Sequence, residues 1–176
     1  MPPPGISPPN TIPDIPVAAT LRPERIGGPI EQVTVTAVAS PELRKKDQYF
    51  DQLYGPMNEL ARKINVPVEL LLGHGVAEGG WGVTAPGSNN SVFGFSQNEN
   101  AIRFPSPQAS IDAFGNGYWG KALAGKQSLD DYLTELHRVP GHDFNSKRED
   151  YDPWVRGRVN DVRAALPGWK ARRGIE

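Results

Sequence analysis

The sequence predicts a mainly α fold: a helical domain interrupted by one small irregular or hairpin lobe. Three observations point there. Several segments carry apolar residues at three-, four- and seven-residue spacings, the repeat of one helix face. These segments open on Ser or Asp followed by Pro or acidic residues, the signals of a capped helix start. Between two of them, "GVTAPGSNNSVFGFSQNENAIRFPSPQ" is rich in turn formers and holds only short apolar pieces.

The 176 residues suffice for one domain with a real core and no internal repeat is visible. Half of the 18 prolines fall in residues 1 to 29, where they remove backbone donors and bias neighbours toward extended conformations. Residues 1–38 are therefore read as a Pro-rich tail or linker, with "EQVTVTAV" alternating like one short strand, and 39–176 as the folded domain. Lysine and arginine number 19 against 20 acidic residues, a balance that gives no electrostatic footprint for nucleic acid. Without cysteine there is no disulfide or thiol chemistry. The N-terminus lacks the basic start and apolar run of a signal peptide, and no segment reaches about 18 apolar residues, so no membrane span is expected.

The first helix is expected to open at Ser40, with Pro41 and Glu42 in its first turn, and to end at Asn65 in a left-handed conformation. Leu43, Phe50, Leu53, Tyr54, Met57, Leu60 and Ile64 form its apolar stripe, with a kink expected near Gly55-Pro56. Pro67 opens the second helix, "PVELLLGHGVAEGG". Leu71 and Glu78 stand seven residues apart in it, with Val68 and Gly75 near the same face. Glu78 thus projects on or beside the buried side at the negative end of the helix. Loss of water around the charged form and the helix dipole both raise a carboxyl pKa there, which suits a general acid. Ser106 or Ser110 caps the next helix, Ser128 with its capping-box partner Asp131 opens "SLDDYLTELHRV", and a last helix runs from an Asp152 cap and Pro153 to Pro167.

The run "INVPVELLLGHGVAEGGWG", followed by "NNSVFGFS" and "RFPSPQASIDAF", resembles the bacterial peptidoglycan N-acetylglucosaminidases of glycoside hydrolase family 73, from about residue 41 to 166. That family shows a helix ending in Glu-Ser-Gly-Trp-Gly, then Asn-Asn-Leu-Phe-Gly-Ile, then a Phe-Arg-x-Tyr stretch. The resemblance implies an α+β lysozyme-like fold whose small lobe flanks a substrate cleft. It also implies that Glu78 is the catalytic acid, that Trp81 and Gly82 are its structural followers, and that Phe93-Gly94 shapes the cleft floor. Tyr151 matches a late tyrosine that faces the sugar. The chain departs from the pattern at Gly79, where serine is usual, at Asn90-Ser91-Val92, and in a shorter lobe after Phe93. That lobe normally supplies the second carboxylate, and Glu99 is the candidate for it; the substrate's own N-acetyl oxygen is the alternative. Carboxylates about 5 Å apart imply retention and about 6.5–9.5 Å apart inversion.

Among the other residues, Phe93, Tyr118 and Tyr151 are candidates for contact with substrate, whereas Trp81 and Trp154 read as core. His74, one turn before Glu78, reads as a core histidine or one that tunes the carboxyl. His137 and His142 with Asp143 lack a helical pair spacing, so no metal is expected, and no cofactor. The arginines from Arg156 onward read as a solvated face followed by a frayed tail, with contact to anionic glycan peptides or a partner as the alternative.

The expected activity is hydrolysis of the β-1,4 bond after N-acetylglucosamine in peptidoglycan. Cleavage after N-acetylmuramic acid, by a muramidase or lytic transglycosylase, is the near alternative, and a non-catalytic peptidoglycan-binding module the alternative of another class. Such a substrate lies in the periplasm or cell wall. The resemblance admits effectors injected by type VI secretion and phage-type enzymes, both independent of a signal peptide, and for an injected toxin a cognate immunity protein occupying the cleft.

Overall fold

A computed structural model describes residues 39–85, 87–97, 100–138 and 148–176. The proposed tail, its "EQVTVTAV" segment, Glu99, His142 and Asp143 lie outside the described residues. Within them the fold is mainly α, with six helices and one minimal hairpin: α1 Pro41–Ile64, α2 Val68–Gly79, β1 Ser96–Gln97, β2 Asn100–Ala101, α3 Pro107–Asn116, α4 Tyr118–Ala122, α5 Leu129–Leu136 and α6 Arg148–Arg173. The hairpin pairs antiparallel, Ser96 opposite Ala101 and Gln97 opposite Asn100.

The helix starts follow local chemistry. The Ser40 hydroxyl accepts from the Leu43 amide, and Asn65 ends α1 at φ 54°, where an asparagine side chain tolerates the left-handed region. Helix α1 runs unbroken through Gly55-Pro56. Ser106 caps α3 and Ser128 caps α5, accepting from Ala109 and Asp131. Ser110, the other candidate cap, is instead buried and accepts from the Val92 amide at 3.0 Å, tying the lobe to α3.

Helix α2 is the centre of the molecule. Its residues Leu70 to Val76 are all buried, and each large apolar side chain so removed from water contributes about 1.5–3 kcal/mol. It packs most extensively on α6 and also on α1. The glycines of "GHG" set those distances: a Cβ on Gly73 would overlap the side chain and backbone of Val159 on α6, and one on Gly75 would strike the Tyr49 hydroxyl of α1.

Helix α6 corrects the expected boundaries. It begins at Arg148 rather than at an Asp152 cap, and continues past Pro153 and Pro167 to Arg173. Each proline removes a backbone donor from the helix, and packing outweighs that loss. Trp169 is buried and donates to Asp51 of α1 at 2.9 Å, while Arg173 grips the same carboxylate at 2.8 and 2.6 Å and Arg172 pairs with Asp47. The C-terminal arginines are therefore anchored on α1, not a frayed tail. Those contacts hold the Asp51 carboxyl below its ordinary range, chiefly through the Arg173 hydrogen bond.

The lobe between α2 and α3 is fixed by side chains rather than by strands. Asn90, at φ 57°, donates from its amide group to Phe104 O at 3.0 Å, and the Asn89 side chain accepts from Ser91 N at 3.0 Å. The Ser91 hydroxyl accepts from Phe95 N at 2.8 Å. Polar turn formers thus substitute for the sheet ladder that so short a hairpin cannot provide.

Candidate functional site

Glu78 stands in the last turn of α2 with its side chain 18% exposed. The face shared with Leu71 and Gly75 carries it to the edge of the core, as the seven-residue spacing requires. Beside it opens a cavity of about 550 Å³, walled by Gly79 at the end of the helix, by Gly82 and Val83 just after it, and by Ser91, Gly94 and Phe95 of the lobe. A second hollow of about 380 Å³, bordered by Lys45, Trp81 and Thr84, shares Gly82 with the first.

The two carboxyl oxygens of Glu78 have different surroundings. Oε1 accepts from the Tyr151 hydroxyl at 2.6 Å. Oε2 lies against Gly94, so closely that a Cβ at that position would overlap it. Gly94 also stands at φ 64°, a conformation that favours glycine independently. Burial raises the Glu78 pKa above the ordinary carboxyl range, partly offset by the Tyr151 hydrogen bond, which favours the charged form.

Behind Tyr151 the hydrogen bonds continue inward. Its hydroxyl lies 3.1 Å from His74 Nε2, and His74 Nδ1 lies 2.8 Å from the Tyr132 hydroxyl on α5. His74 is wholly buried, and burial pushes its pKa down to about 3. The imidazole is neutral near pH 7, so its 3.9 Å approach to Glu78 Oε1 is not an ion pair there. Burial likewise pushes the phenols of Tyr132 and Tyr151 up, the Glu78 charge adding to it, and both keep their protons. His137 Nε2 and Asp152 Oδ1 are 2.8 Å apart, and the His137 ring meets the Tyr151 ring edge-on.

The residues singled out from the sequence fall in three positions. Glu78 and Tyr151 are brought together, Tyr151 holding the carboxyl from the core side. Phe93 is 1% exposed, stacked on Phe114 at 3.8 Å and edge-on to His74; it supports the site from beneath and takes no part in the cavity wall. Tyr118 is 51% exposed on α4 and meets Trp119 edge-on, and no α4 residue borders the Glu78 cavity. Glu99, the candidate second carboxylate, is outside the described residues.

Trp81 packs half-buried against Tyr49 and Phe50. Trp154, expected in the core, is 49% exposed. Its indole N–H donates to Ala77 O at 3.0 Å, and Arg158 lies over its ring at 4.2 Å. The C-terminal carbonyls of α2 lack intrahelical donors, and reaching one of them keeps this indole at the surface.

Two participants gave no signal in the sequence. Tyr132 reads there as one apolar position of an amphipathic helix, and Val83 as a loop residue. Val83 explains the departure at Gly79, because its side chain fills the space a Cβ on residue 79 would need. Among the described residues no group of three or more His, Asp or Glu side chains could hold a metal ion, and no helix is long and apolar enough to cross a membrane.

The chain matches no protein-family model and no curated protein. Among solved structures, a chain of a type VI secretion system effector–immunity complex from Pseudomonas protegens is a weak neighbour, 20% identical, with a TM-score of 0.48 over 66% of this chain and 94% of that one.

Proposed function

We propose that this chain hydrolyses the β-1,4 bond after N-acetylglucosamine in bacterial peptidoglycan, with Glu78 as general acid. One observation carries the proposal: a carboxyl whose pKa is raised by burial, held through Oε1 by Tyr151, borders a cavity of about 550 Å³. The "EGGWG", "VFG" and "RF" segments supply the choice of bond through their resemblance to family 73. Glu78 gives its proton to the glycosidic oxygen as the bond to the anomeric carbon breaks. Positive charge develops on that sugar and is stabilised by Glu99 or by the substrate's N-acetyl oxygen. Water then adds at the anomeric carbon, and its proton restores the acid.

Residues 39–176 form the catalytic domain in this proposal, and 1–38 its tail. The enzyme acts on the cell wall from the periplasm after delivery by type VI secretion or a phage-type route. A cognate immunity protein seated in the cleft is its proposed partner.

Digestion of purified sacculi by wild type, Glu78→Gln and Glu99→Gln, with products identified by mass, tests this reading. Glu78→Gln is expected to lose about 10²–10⁴ of the rate, and wild-type release should end in N-acetylglucosamine at the reducing end. Lysis by Glu78→Gln at wild-type rate overturns the acid assignment. Muramic acid at the new ends transfers the proposal to a muramidase or lytic transglycosylase. Sacculus binding without release indicates a binding module, and the immunity protein, added to the same digestion, should block it.

A further inference from the structure

We propose that His74 and Tyr132 are positioning residues that decide which oxygen of Glu78 carries the transferable proton, a role that rests on Glu78 being the general acid. Tyr132 is the far end of the hydrogen-bonded chain. Tyr132 is 0% exposed, and among the described residues its hydroxyl meets only His74 Nδ1, at 2.8 Å. A buried hydroxyl must place its proton on an acceptor, so Tyr132 donates to Nδ1. A neutral imidazole has one N–H, which is then on Nε2 and points at the Tyr151 oxygen, 3.1 Å away. That donation occupies the Tyr151 oxygen and leaves its own proton for Glu78 Oε1, at 2.6 Å.

With Oε1 accepting, the carboxyl proton belongs on Oε2, the oxygen against Gly94. Glu78 and Gly94 both border the cavity, so this is the proton a substrate oxygen can receive. The opposite tautomer reverses every step. Tyr151 would donate to Nε2, Oε1 would lose its donor, and a proton on Oε1 would point at Tyr151, away from the cavity. Among the described residues, the ionisable groups in this chain and against it are His74 and Glu78 on α2, Tyr132 on α5 and Tyr151 on α6, with His137 and Asp152 paired at the rim of the Tyr151 ring.

The test combines ¹⁵N spectra of the histidine rings with a ¹³C titration of the Glu78 carboxyl and cleavage kinetics, in wild type, Tyr132→Phe and Tyr151→Phe. In wild type His74 should show the neutral Nε2–H tautomer from about pH 8 to about pH 5. In Tyr132→Phe both tautomers should appear, and the Glu78 midpoint should move upward as Oε1 loses its donor. On sacculi kcat should fall about 10-fold with KM unchanged. Adding Tyr132→Phe to Tyr151→Phe should cost little more, because both act through one chain.

An Nδ1–H tautomer in wild type overturns the proposal. So does a Tyr132→Phe protein whose tautomer and carboxyl midpoint match wild type, or whose tautomer shifts while kcat does not. If wild type cleaves nothing, the glycosidase reading fails by itself, and the spectra still decide the direction of the chain. If Tyr132→Phe does not fold, the wild-type tautomer and the Tyr151→Phe titration decide the proposal.

Discussion

At Gly94 the backbone stands at φ 64°, and a Cβ there would overlap Oε2 of Glu78. Gly94→Ala therefore strains the backbone and displaces the carboxyl, two separate effects of one methyl group. The variant is expected to lose about 1–3 kcal/mol of stability and most of its activity on sacculi. Denaturant unfolding beside a cleavage assay reads both, and an alanine variant with wild-type stability would refute the strain. The sequence made Glu78 legible through its position at the end of an apolar helix and the motif around it. It did not make legible why Gly79 stands where its resembling family has serine. Val83 fills that space, and a contact between a helix end and the next turn depends on backbone path, which residue types do not encode.

At the scale of elements, α2 and α6 are held together by close backbone approach. Gly73 and Gly157 put the same substitution to opposite tests. A Cβ at Gly73 would overlap Val159 on α6, whereas one at Gly157 meets nothing within 4 Å. Gly73→Ala is expected to destabilise the protein by about 1–3 kcal/mol. Gly157→Ala, in the exposed middle of α6, should stabilise it by about 0.4–1 kcal/mol. Thermal unfolding of both variants checks the pair, and a shift of the same sign in both would contradict this packing. Helix starts were legible because a cap is local: Ser40, Ser106 and Ser128 each bond an amide three residues on. The limits of α6 were not. Pro153 reads locally as a start and Pro167 as a stop: buried Tyr151, bonded to His74 and Glu78, anchors the helix ahead of Pro153, and Trp169, Arg172 and Arg173 meeting Asp47 and Asp51 across the fold carry it past Pro167.

For the whole molecule, the buried His74 links stability to pH. Its folded pKa, about 3, lies below its ordinary 6.5, so between those values the unfolded chain binds the extra proton and stability falls as pH falls. The Glu78 carboxyl acts in the opposite sense. Its raised folded pKa stabilises the protein at low pH and costs stability as pH rises through it. In a Glu78→Gln background the His74 contribution is the one that changes between about pH 5 and about pH 7, that of the lowered Asp51 carboxyl acting at lower pH, and unfolding free energy should be about 2 kcal/mol lower at about pH 5 than at about pH 7. A flat profile over that range would show that His74 titrates freely. The sequence alone determined a mainly α domain, the starts of α1, α2, α3 and α5, the turn-rich lobe and the carboxyl at the end of α2, because period, caps and turn chemistry act within a few residues; α4 is a separate helix that it did not mark. Tertiary structure decided the rest: the length of α6, the surface position of Trp154, and the chain from Tyr132 through His74 and Tyr151 to Glu78. These join residues up to 125 positions apart, and such contacts are set by packing and by the need of each buried polar group for a partner, neither of which repeats along the chain.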